Sequence, residues 1–244
     1  MSASRRDSPI VDNAMRNSGG DGLGRAGASG GASTARGDPL RRPQEVYLAR
    51  HGETPWSLSG QHTGLTDLSL TRRGEQGARQ LGARLKGFDF ARVFTSPLQR
   101  ARRTCELAGF VSRAQVDRDL VEWDYGEYEG LRTADVRVRH PDWQMFRDGF
   151  PGGESFDQIA ERADLVVERV RSIAGGVLLF SSGHFLRVLA VRWLGLGPQS
   201  TRYSLLRTTS LSSLTYEHRS QPAIGLRNDT HYISQKHSEN SSEC

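Results

Sequence analysis

The sequence predicts an α/β fold, a three-layer α/β/α sandwich with a mostly parallel central sheet. Short apolar runs typical of buried strands alternate with longer segments whose apolar residues recur at the helical period. This alternation spans residues 44–234 of the 244-residue chain. Strands that alternate with helices of this length are typical of parallel sheets covered by helices on both faces.

The two ends of the chain differ in composition from this region. Residues 1–43 consist mainly of Ser, Gly, Ala, Arg and Asp, with almost no large apolar side chains. Such a segment buries too little surface to offset the entropy lost on ordering, so we predict that it is disordered. We make the same prediction for residues 235–244, which leaves one domain over residues 44–234.

The first half of this domain contains three predicted strands. An apolar run at 46–49 is the first, and a helical pattern begins at Thr71. A second strand covers 92–95 and runs into Ser96, whose position before a proline is typical of a helix N-cap. A third strand is expected at 115–118.

The second half begins with a helix that Ser155 caps. Its apolar residues follow the 3.6-residue period as far as Ile173, and the glycine pair at 175–176 ends the pattern. The remaining predicted elements are a strand at 177–181, a helix at 184–194 and closing edge strands at 211–217 and 223–227.

Net charge gives little support to nucleic-acid binding. The formal charge is +5, and the first 43 residues carry seven arginines and four aspartates, a net of +3. The remaining chain therefore has a charge of +2 and contains no zinc-finger, helix-turn-helix or aromatic-interleaved basic pattern. We therefore expect no nucleic-acid partner and keep nucleic-acid binding only as a weak hypothesis of a second class. The sequence predicts no oligomeric state.

Cysteine content and hydropathy favour the cytoplasm as the predicted location. Cys105 and Cys244 are too few for a disulfide framework, and Cys105 lies among apolar helical positions. The sequence contains no apolar run long enough to span a membrane and no apolar core of a secretory signal. We therefore expect no membrane partner.

Residues with catalytic potential follow the predicted strands. Arg50 and His51 end the first strand, where open α/β sheets place their ligand sites. An imidazole beside a guanidinium there suggests a nucleophile or base next to an anion clamp, although a lone histidine after a strand more often only pairs locally. Arg100 lies one turn into the helix predicted to start at Ser96, where a helix N-terminus favours anions.

Two further segments belong to the same predicted sheet edge. Glu122 lies on an aromatic-rich loop after the third strand, a setting that can produce a general acid. Taken alone, that segment is more typical of a surface loop with packed aromatics. The sequence Ser-Ser-Gly-His at 181–184 ends the fourth strand at a helix start and forms a potential anion cradle.

Seven motifs occur in one order along the domain. They are Leu-Ala-Arg-His-Gly-Glu-Thr at 48–54, His-Thr-Gly at 62–64, Leu-Thr with a later Gly at 70–74, Thr-Ser-Pro-Leu-Gln-Arg-Ala at 95–101, Glu-Trp-Asp-Tyr-Gly at 122–126, Tyr-Glu-Gly at 128–130 and Gly-His-Phe-Leu-Arg at 183–187. Together they resemble the histidine phosphatase superfamily, also called phosphoglycerate mutase-like. Their joint pattern favours a catalytic over a structural interpretation of these residues.

The resemblance implies a role for each matching catalytic residue. His51 would attack phosphorus and form a phosphohistidine, while Arg50 and Arg100 would hold the transferred phosphoryl oxygens. Glu122 would protonate the leaving alkoxide and then help to activate water. This chemistry needs no metal ion, because arginines and helix termini supply the positive field, and no cofactor motif is visible in the sequence.

The resemblance also implies residues that bind a small phosphorylated substrate. These are Thr63, Gly64, Ser182, Gly183 and His184, together with Tyr125, Arg187 and His231, which match the branch of sedoheptulose-1,7-bisphosphatase. We assign His62, His140, His218 and His237 to loops or the surface, and of these we expect His62 to border the pocket. A sugar phosphate or bisphosphate is the predicted substrate class.

One position departs from the family pattern. The fourth strand normally ends in a second phosphoryl-binding histidine, whereas this chain has Ser182 there. Loss of one charge-assisted hydrogen bond costs about 1.5–3 kcal/mol, or roughly ten- to a hundredfold in rate. We therefore predict a slowed phosphatase, unless His184 takes over the missing role.

Two alternatives to a phosphatase remain at this point. A cofactor-dependent mutase of the phosphoglycerate type would shield its phosphohistidine from water with a long insertion, and residues 131–152 form a segment of only modest length. A catalytically impaired, phosphate-binding pseudoenzyme is the other alternative, and Ser182 is the residue that favours it.

Overall fold

The computed structural model describes residues 44–218 and 220–233. The predicted disordered tails at 1–43 and 235–244 lie outside these residues, as does Ser234 at the end of the predicted domain. Within the described ranges, no helix has both the length and the apolar composition needed to cross a membrane.

Six strands form one sheet. They are β1 (Val46–Arg50), β2 (Arg92–Thr95), β3 (Ala114–Val116), β4 (Val177–Ser181), β5 (Leu211–Glu217) and β6 (Gln221–Asp229). Their order is β3-β2-β4-β1-β5-β6. The pairs among β3, β2, β4 and β1 are parallel, while β5 and β6 are antiparallel to their neighbours, which confirms a mostly parallel sheet. The prediction of two edge strands at 211–227 is wrong for β5, because β5 lies between β1 and β6.

Seven α-helices accompany the sheet in the described residues. They are α1 (Pro55–Ser59), α2 (Arg72–Arg84), α3 (Gln99–Leu107), α4 (Thr133–Arg139), α5 (Met145–Asp148), α6 (Phe156–Arg171) and α7 (Gly183–Trp193). The N-cap predicted for α6 is confirmed, since Ser155 and Gln158 form a reciprocal capping box. The sequence did not predict α1, α4 or α5.

The side chains of β1 divide between two buried clusters, one on each face of the sheet. Val46 and Leu48 belong to a cluster with apolar residues of α6 and α7. Tyr47 and Ala49 belong to the other cluster, with apolar residues of α2 and α3. Because alternate residues of a strand point to opposite faces, helices cover both sides of the sheet, and the predicted three-layer arrangement is confirmed.

The carboxyl ends of β1, β2 and β4 meet at one edge of the sheet. Arg50 at the end of β1 lies opposite Ser181 at the end of β4, and the His51 N–H donates to the Ser181 carbonyl at 2.9 Å. The Ser96 N–H donates to the Phe180 carbonyl, also at 2.9 Å. Strand register therefore gathers the residues that follow the three strands, although they are distant in sequence.

Helix α3 starts later than the sequence predicts, and a distant residue caps it. The predicted N-cap, Ser96, lies before the helix, and its hydroxyl is 3.4 Å from the Leu98 nitrogen. Asp67 instead accepts the Gln99 N–H at 2.7 Å, and its carbonyl accepts the Gln99 side-chain amide at 2.7 Å. The cap is therefore a tertiary contact from a distant residue, and the local sequence around Ser96 does not predict it.

We expect Asp67→Ala to destabilise the protein more than Ser96→Ala. Loss of a capping side chain costs about 1 kcal/mol, which lowers Tm by roughly 2–4 °C in a domain of this size. Ser96→Ala removes only a long contact, so its Tm should change by less. Thermal unfolding of both variants tests this, and a larger loss in Ser96→Ala would contradict the assignment of Asp67 as the cap.

Candidate active site

His51 is a buried, neutral imidazole immediately after β1. His51 is only 3% exposed, and its Nδ1 lies 2.7 Å from the Gly52 carbonyl oxygen. Because a carbonyl oxygen can only accept, this contact assigns the proton to Nδ1 and leaves a lone pair on Nε2. Burial, followed by the charges of Arg100 and Arg50, holds the pKa of His51 well below its usual value. The ring is therefore suited to act as a nucleophile through Nε2.

Gly52 is required by close packing rather than by an unusual backbone angle. A Cβ at this position would lie 2.5 Å from the Gly74 carbonyl oxygen, at the start of α2. The Gly52 N–H also donates to the Thr104 hydroxyl of α3 at 2.9 Å. Gly52, which follows His51, is thus held between two helices that both pack on the same face of the sheet.

Arg50 reaches across the start of α7. Its Nη1 donates to the Leu206 carbonyl, while its Nε is buried and has no partner within the described part of the chain. A Cβ on Gly183 would lie 3.0 Å from the Arg50 guanidinium carbon, so glycine at 183 makes room for the side chain. Gly183, a predicted substrate contact, is therefore placed directly against Arg50.

Arg100 is fully buried, with 0% of its surface exposed. Its Nη1 donates to the Thr66 carbonyl at 2.8 Å, and its Nη2 donates to the carbonyls of Gly64 at 2.7 Å and Thr63 at 3.2 Å. Its Nε has no partner in the ranges 44–218 and 220–233. Thr63 and Gly64, predicted as substrate contacts, therefore hold the guanidinium through their backbone.

Glu122 is the carboxylate that caps α7. Its Oε1 accepts the N–H groups of Trp123 at 3.0 Å and Phe185 at 2.7 Å, and its Oε2 accepts the His184 N–H at 2.9 Å. Ser182 occupies the N-cap position of α7, but its side chain makes no capping bond. The Ser182 hydroxyl is buried and lacks a partner among the described residues, which leaves it free to bind a ligand oxygen.

Tyr125 and His184 share a hydrogen bond beside this helix start. The Tyr125 hydroxyl lies 2.5 Å from His184 Nδ1, and Phe146 of α5 packs against the His184 ring at a centroid distance of 5.7 Å. Burial, with the charges of Arg187 and Arg50, holds the pKa of His184 well below its usual value, so the ring is neutral. Burial also raises the pKa of Tyr125, which keeps its proton.

Arg187 is a third buried guanidinium, one turn further along α7. Its Nη2 donates to the Thr201 carbonyl at 2.9 Å, and the group lies 4.8 Å from the centre of the Phe146 ring. Burial lowers the pKa of Arg187 to about 10, so it remains charged at neutral pH. Its Nε is also buried without a partner in the described structure.

Two histidines of the prediction have different positions. His62 is 6% exposed and packs against Tyr125, with ring centres 5.2 Å apart, so it is buried beside a predicted site residue rather than lying at the surface. The side chain of His231 is 99% exposed, and its Nδ1 lies 3.2 Å from an oxygen of Asp229. The structure does not bring His231 into contact with the other predicted site residues.

The sequence prediction missed the groups that hold the three arginines. These groups are backbone carbonyls, and since every residue has one, the sequence does not show which of them bind an arginine. They belong to residues 63, 64, 66, 201 and 206. Glu129 was also given no role, although the motif Tyr-Glu-Gly at 128–130 contains it. Its carboxylate accepts the N–H groups of Gly64 and Thr66, whose carbonyls bind Arg100.

Buried neutral histidines make stability fall in acid. Burial lowers the pKa of His62 from 6.5 to about 4, so between these values the unfolded chain binds a proton that the folded chain does not. The free energy of unfolding should therefore fall by about 1.4 kcal/mol per pH unit for this residue as pH decreases through that window. His51 and His184 act in the same direction.

We expect His62→Phe to reduce this slope, because the variant keeps an aromatic ring but cannot titrate. Urea unfolding at several pH values between 4 and 6.5 measures the slope. His218→Gln is the matched control, because it replaces a histidine whose side chain is 87% exposed. An unchanged slope in His62→Phe would contradict the assigned neutral state of His62.

Comparisons with known proteins agree with this geometry. A profile of the histidine phosphatase superfamily (branch 1) matches residues 46–230. An acid phosphatase of Mycobacterium tuberculosis is 39% identical over 184 residues, covering 72% of this chain and 89% of that protein. Sedoheptulose 1,7-bisphosphatase of Saccharomyces cerevisiae is 33% identical over 218 residues, covering 76% and 80%. A probable phosphoglycerate mutase of Photorhabdus laumondii is 34% identical over 184 residues, covering 71% and 86%.

A solved structure shares both the fold and the sequence pattern. The product of a functionally characterised open reading frame of Mycobacterium tuberculosis superposes with a TM-score of 0.72 at 36% identity, covering 77% of this chain and 98% of that one. The family profile extends over the whole sheet and all four predicted catalytic residues. The chain therefore belongs to the histidine phosphatase superfamily, branch 1.

Proposed function

We propose that the chain hydrolyses the phosphomonoester of a small phosphorylated metabolite through a phosphohistidine at His51. The observation that carries this proposal is the state of His51, which is neutral and has its Nδ1 committed to the Gly52 carbonyl. Its free Nε2 lies in the field of Arg50 and Arg100, whose Nε groups have no partner in the described residues. A nucleophile and an oxyanion clamp are thus available in one buried site.

The first step transfers the phosphoryl group to the protein. The Nε2 lone pair of His51 forms the P–N bond while the bond from phosphorus to the leaving oxygen breaks. Arg50 and Arg100 hold the phosphoryl oxygens, whose charge dominates a loose transition state. Glu122 is the proposed general acid that gives a proton to the leaving alkoxide. Its Oε1 already accepts two N–H groups and its Oε2 only one, so the remaining lone pair for this proton is on Oε2.

The second step releases inorganic phosphate. Glu122, now a carboxylate, accepts a proton from water as the water oxygen attacks phosphorus. The P–N bond breaks and its electron pair returns to Nε2. Nδ1 of His51 keeps its proton and its hydrogen bond to the Gly52 carbonyl throughout, so the imidazole regains its starting tautomer.

A sugar phosphate or bisphosphate is the substrate class that the surrounding residues favour. Arg187 offers a buried Nε–H that the phosphoryl clamp does not need, and Tyr125 with His184 offers polar groups to hydroxyls. The similarity to a sedoheptulose bisphosphatase supports this choice. His231 is left out of the proposal because its side chain is exposed.

A mutase remains the second candidate function. The relative described as a probable phosphoglycerate mutase favours it, and so does the fold of residues 131–152. This segment forms α4 and α5, and its aromatic side chains pack on the site residues Tyr125 and His184. A phosphohistidine shielded from water by such a cover would return its phosphoryl group to an organic acceptor.

Rapid quench tests the intermediate directly. With a panel of sugar phosphates, phosphoglycerates and phosphopeptides, we expect release of inorganic phosphate and an acid-labile, alkali-stable phosphoprotein. His51→Ala should lose both. A phosphoryl group that moves between positions of phosphoglycerate without phosphate release would establish the mutase instead. Phosphate binding without turnover on any substrate would establish the pseudoenzyme.

Substitutions of Ser182 should change kcat/KM in a defined order. Ser182→His adds a charge-assisted hydrogen bond and should raise kcat/KM by about ten- to a hundredfold. Ser182→Ala removes the buried hydroxyl and should lower kcat/KM by several-fold, since a neutral hydrogen bond contributes about 0.5–1.5 kcal/mol. Steady-state kinetics on the best substrate of the panel measures both. No gain in Ser182→His would mean that the site is already complete with serine.

A further inference from the structure

We propose that Glu129 is a positioning residue for Arg100, acting through the loop at residues 63–66. This inference rests on the proposed function, in which Arg100 binds the phosphoryl group. Both carboxylate oxygens of Glu129 lie 2.9 Å from the Gly64 nitrogen, and one lies 3.1 Å from the Thr66 nitrogen. The same loop presents the carbonyls of Thr63, Gly64 and Thr66 to Arg100. The loop therefore points N–H groups at an anion and carbonyls at a cation.

The geometry leaves the Nε–H of Arg100 and one terminal N–H for the substrate. Three carbonyl contacts use three of the four terminal N–H groups, and the Nε–H is buried without a partner in the described chain. A guanidinium is planar and rigid, so fixing its two terminal nitrogens also fixes the direction of Nε–H. The position of the 63–66 loop thus sets where a phosphoryl oxygen can bind.

Glu129 holds the part of the loop that backbone pairing does not reach. The His62 N–H donates to the Leu131 carbonyl and the Gly130 N–H to the His62 carbonyl, each at 2.9 Å. This pairing stops at residue 62, before the carbonyls that bind Arg100. Beyond residue 62, the Glu129 carboxylate accepts the N–H groups of Gly64 and Thr66. There is no room for a side chain at 64, because a Cβ there would lie 2.6 Å from a Glu129 oxygen.

The charge of Glu129 also suits the burial of Arg100. Burial lowers the pKa of Arg100, and the negative charges of Glu122, Asp67 and Glu129 are among those that oppose this effect. Glu129 does so without contacting the guanidinium directly. A direct contact would block the binding of the phosphoryl group. Its effect passes through the aligned peptide dipoles of the loop.

Glu129→Gln tests the proposal with orthovanadate, a phosphate mimic that needs no identified substrate. The amide keeps one acceptor oxygen but turns a second donor towards the Gly64 N–H, so the loop should shift. We expect isothermal titration calorimetry to show vanadate affinity reduced by about tenfold or more. Glu127→Gln is the matched control, since it removes an exposed carboxylate from the same turn and should retain full affinity.

Two further measurements separate positioning from a general loss of structure. In an Arg100→Ala background, Glu129→Gln should cause little additional loss of vanadate affinity, because its effect passes through Arg100. Glu129→Asp keeps the charge but withdraws it by one methylene, and should give an intermediate loss with normal circular dichroism. It also serves as the folded variant if Glu129→Gln does not fold.

Full vanadate affinity in Glu129→Gln, an equal loss in Glu127→Gln, or independent losses in the double variant would each overturn the role of Glu129. The proposed hydrolase activity is tested separately by phosphate release from the native chain. A native chain that binds vanadate but releases no phosphate would overturn the proposed function. The vanadate affinities of the variants would still test the role of Glu129.

Discussion

Backbone carbonyls that hold buried guanidinium groups are the interaction on which this site depends. Arg50, Arg100 and Arg187 each direct a terminal nitrogen at a carbonyl oxygen, and each keeps a buried Nε without a partner in the described residues. A carbonyl dipole stabilises a buried cation without cancelling its charge. A carboxylate in the same position would neutralise the arginine and compete with the phosphoryl group. Carbonyl anchoring therefore keeps the site both folded and positive.

The anchoring carbonyls come from loops, so the electrostatics of the site depend on how those loops are fixed. The 63–66 loop is tied to residues 129–131 through Glu129 and backbone pairing. The Leu206 carbonyl lies next to Arg207, whose N–H donates to the Asn228 side chain of β6 at 2.7 Å. Thr201 lies in a 3₁₀ turn, Pro198–Tyr203. Each arginine is thus connected to an element outside the parallel strands that deliver His51 and Ser182.

Sequence reasoning identified the residues that follow strands and missed those that act through tertiary contacts. His51, Arg50 and Ser182 follow apolar runs, and parallel register brings such strand ends together whatever the loops do. Ser96 and Asp67 show the limit of this reasoning. Ser96 has every local feature of a cap, yet a carboxylate 32 residues before Gln99 caps α3. Glu129 was visible as part of a motif, but its function depends on a loop 65 residues away.

In the proposed mechanism, Ser182 adds no positive charge around the phosphoryl group. Glu122 already accepts the N–H groups of His184 and Phe185 at the N-terminus of α7, so that helix end contributes little free positive potential. His184 is neutral and bonded to Tyr125. Under the proposed function, the positive field that meets a phosphoryl dianion at His51 therefore comes mainly from Arg50 and Arg100. A site with few cations depends more on where each one is held, so the loops that hold these arginines matter as much to the proposal as the arginines themselves.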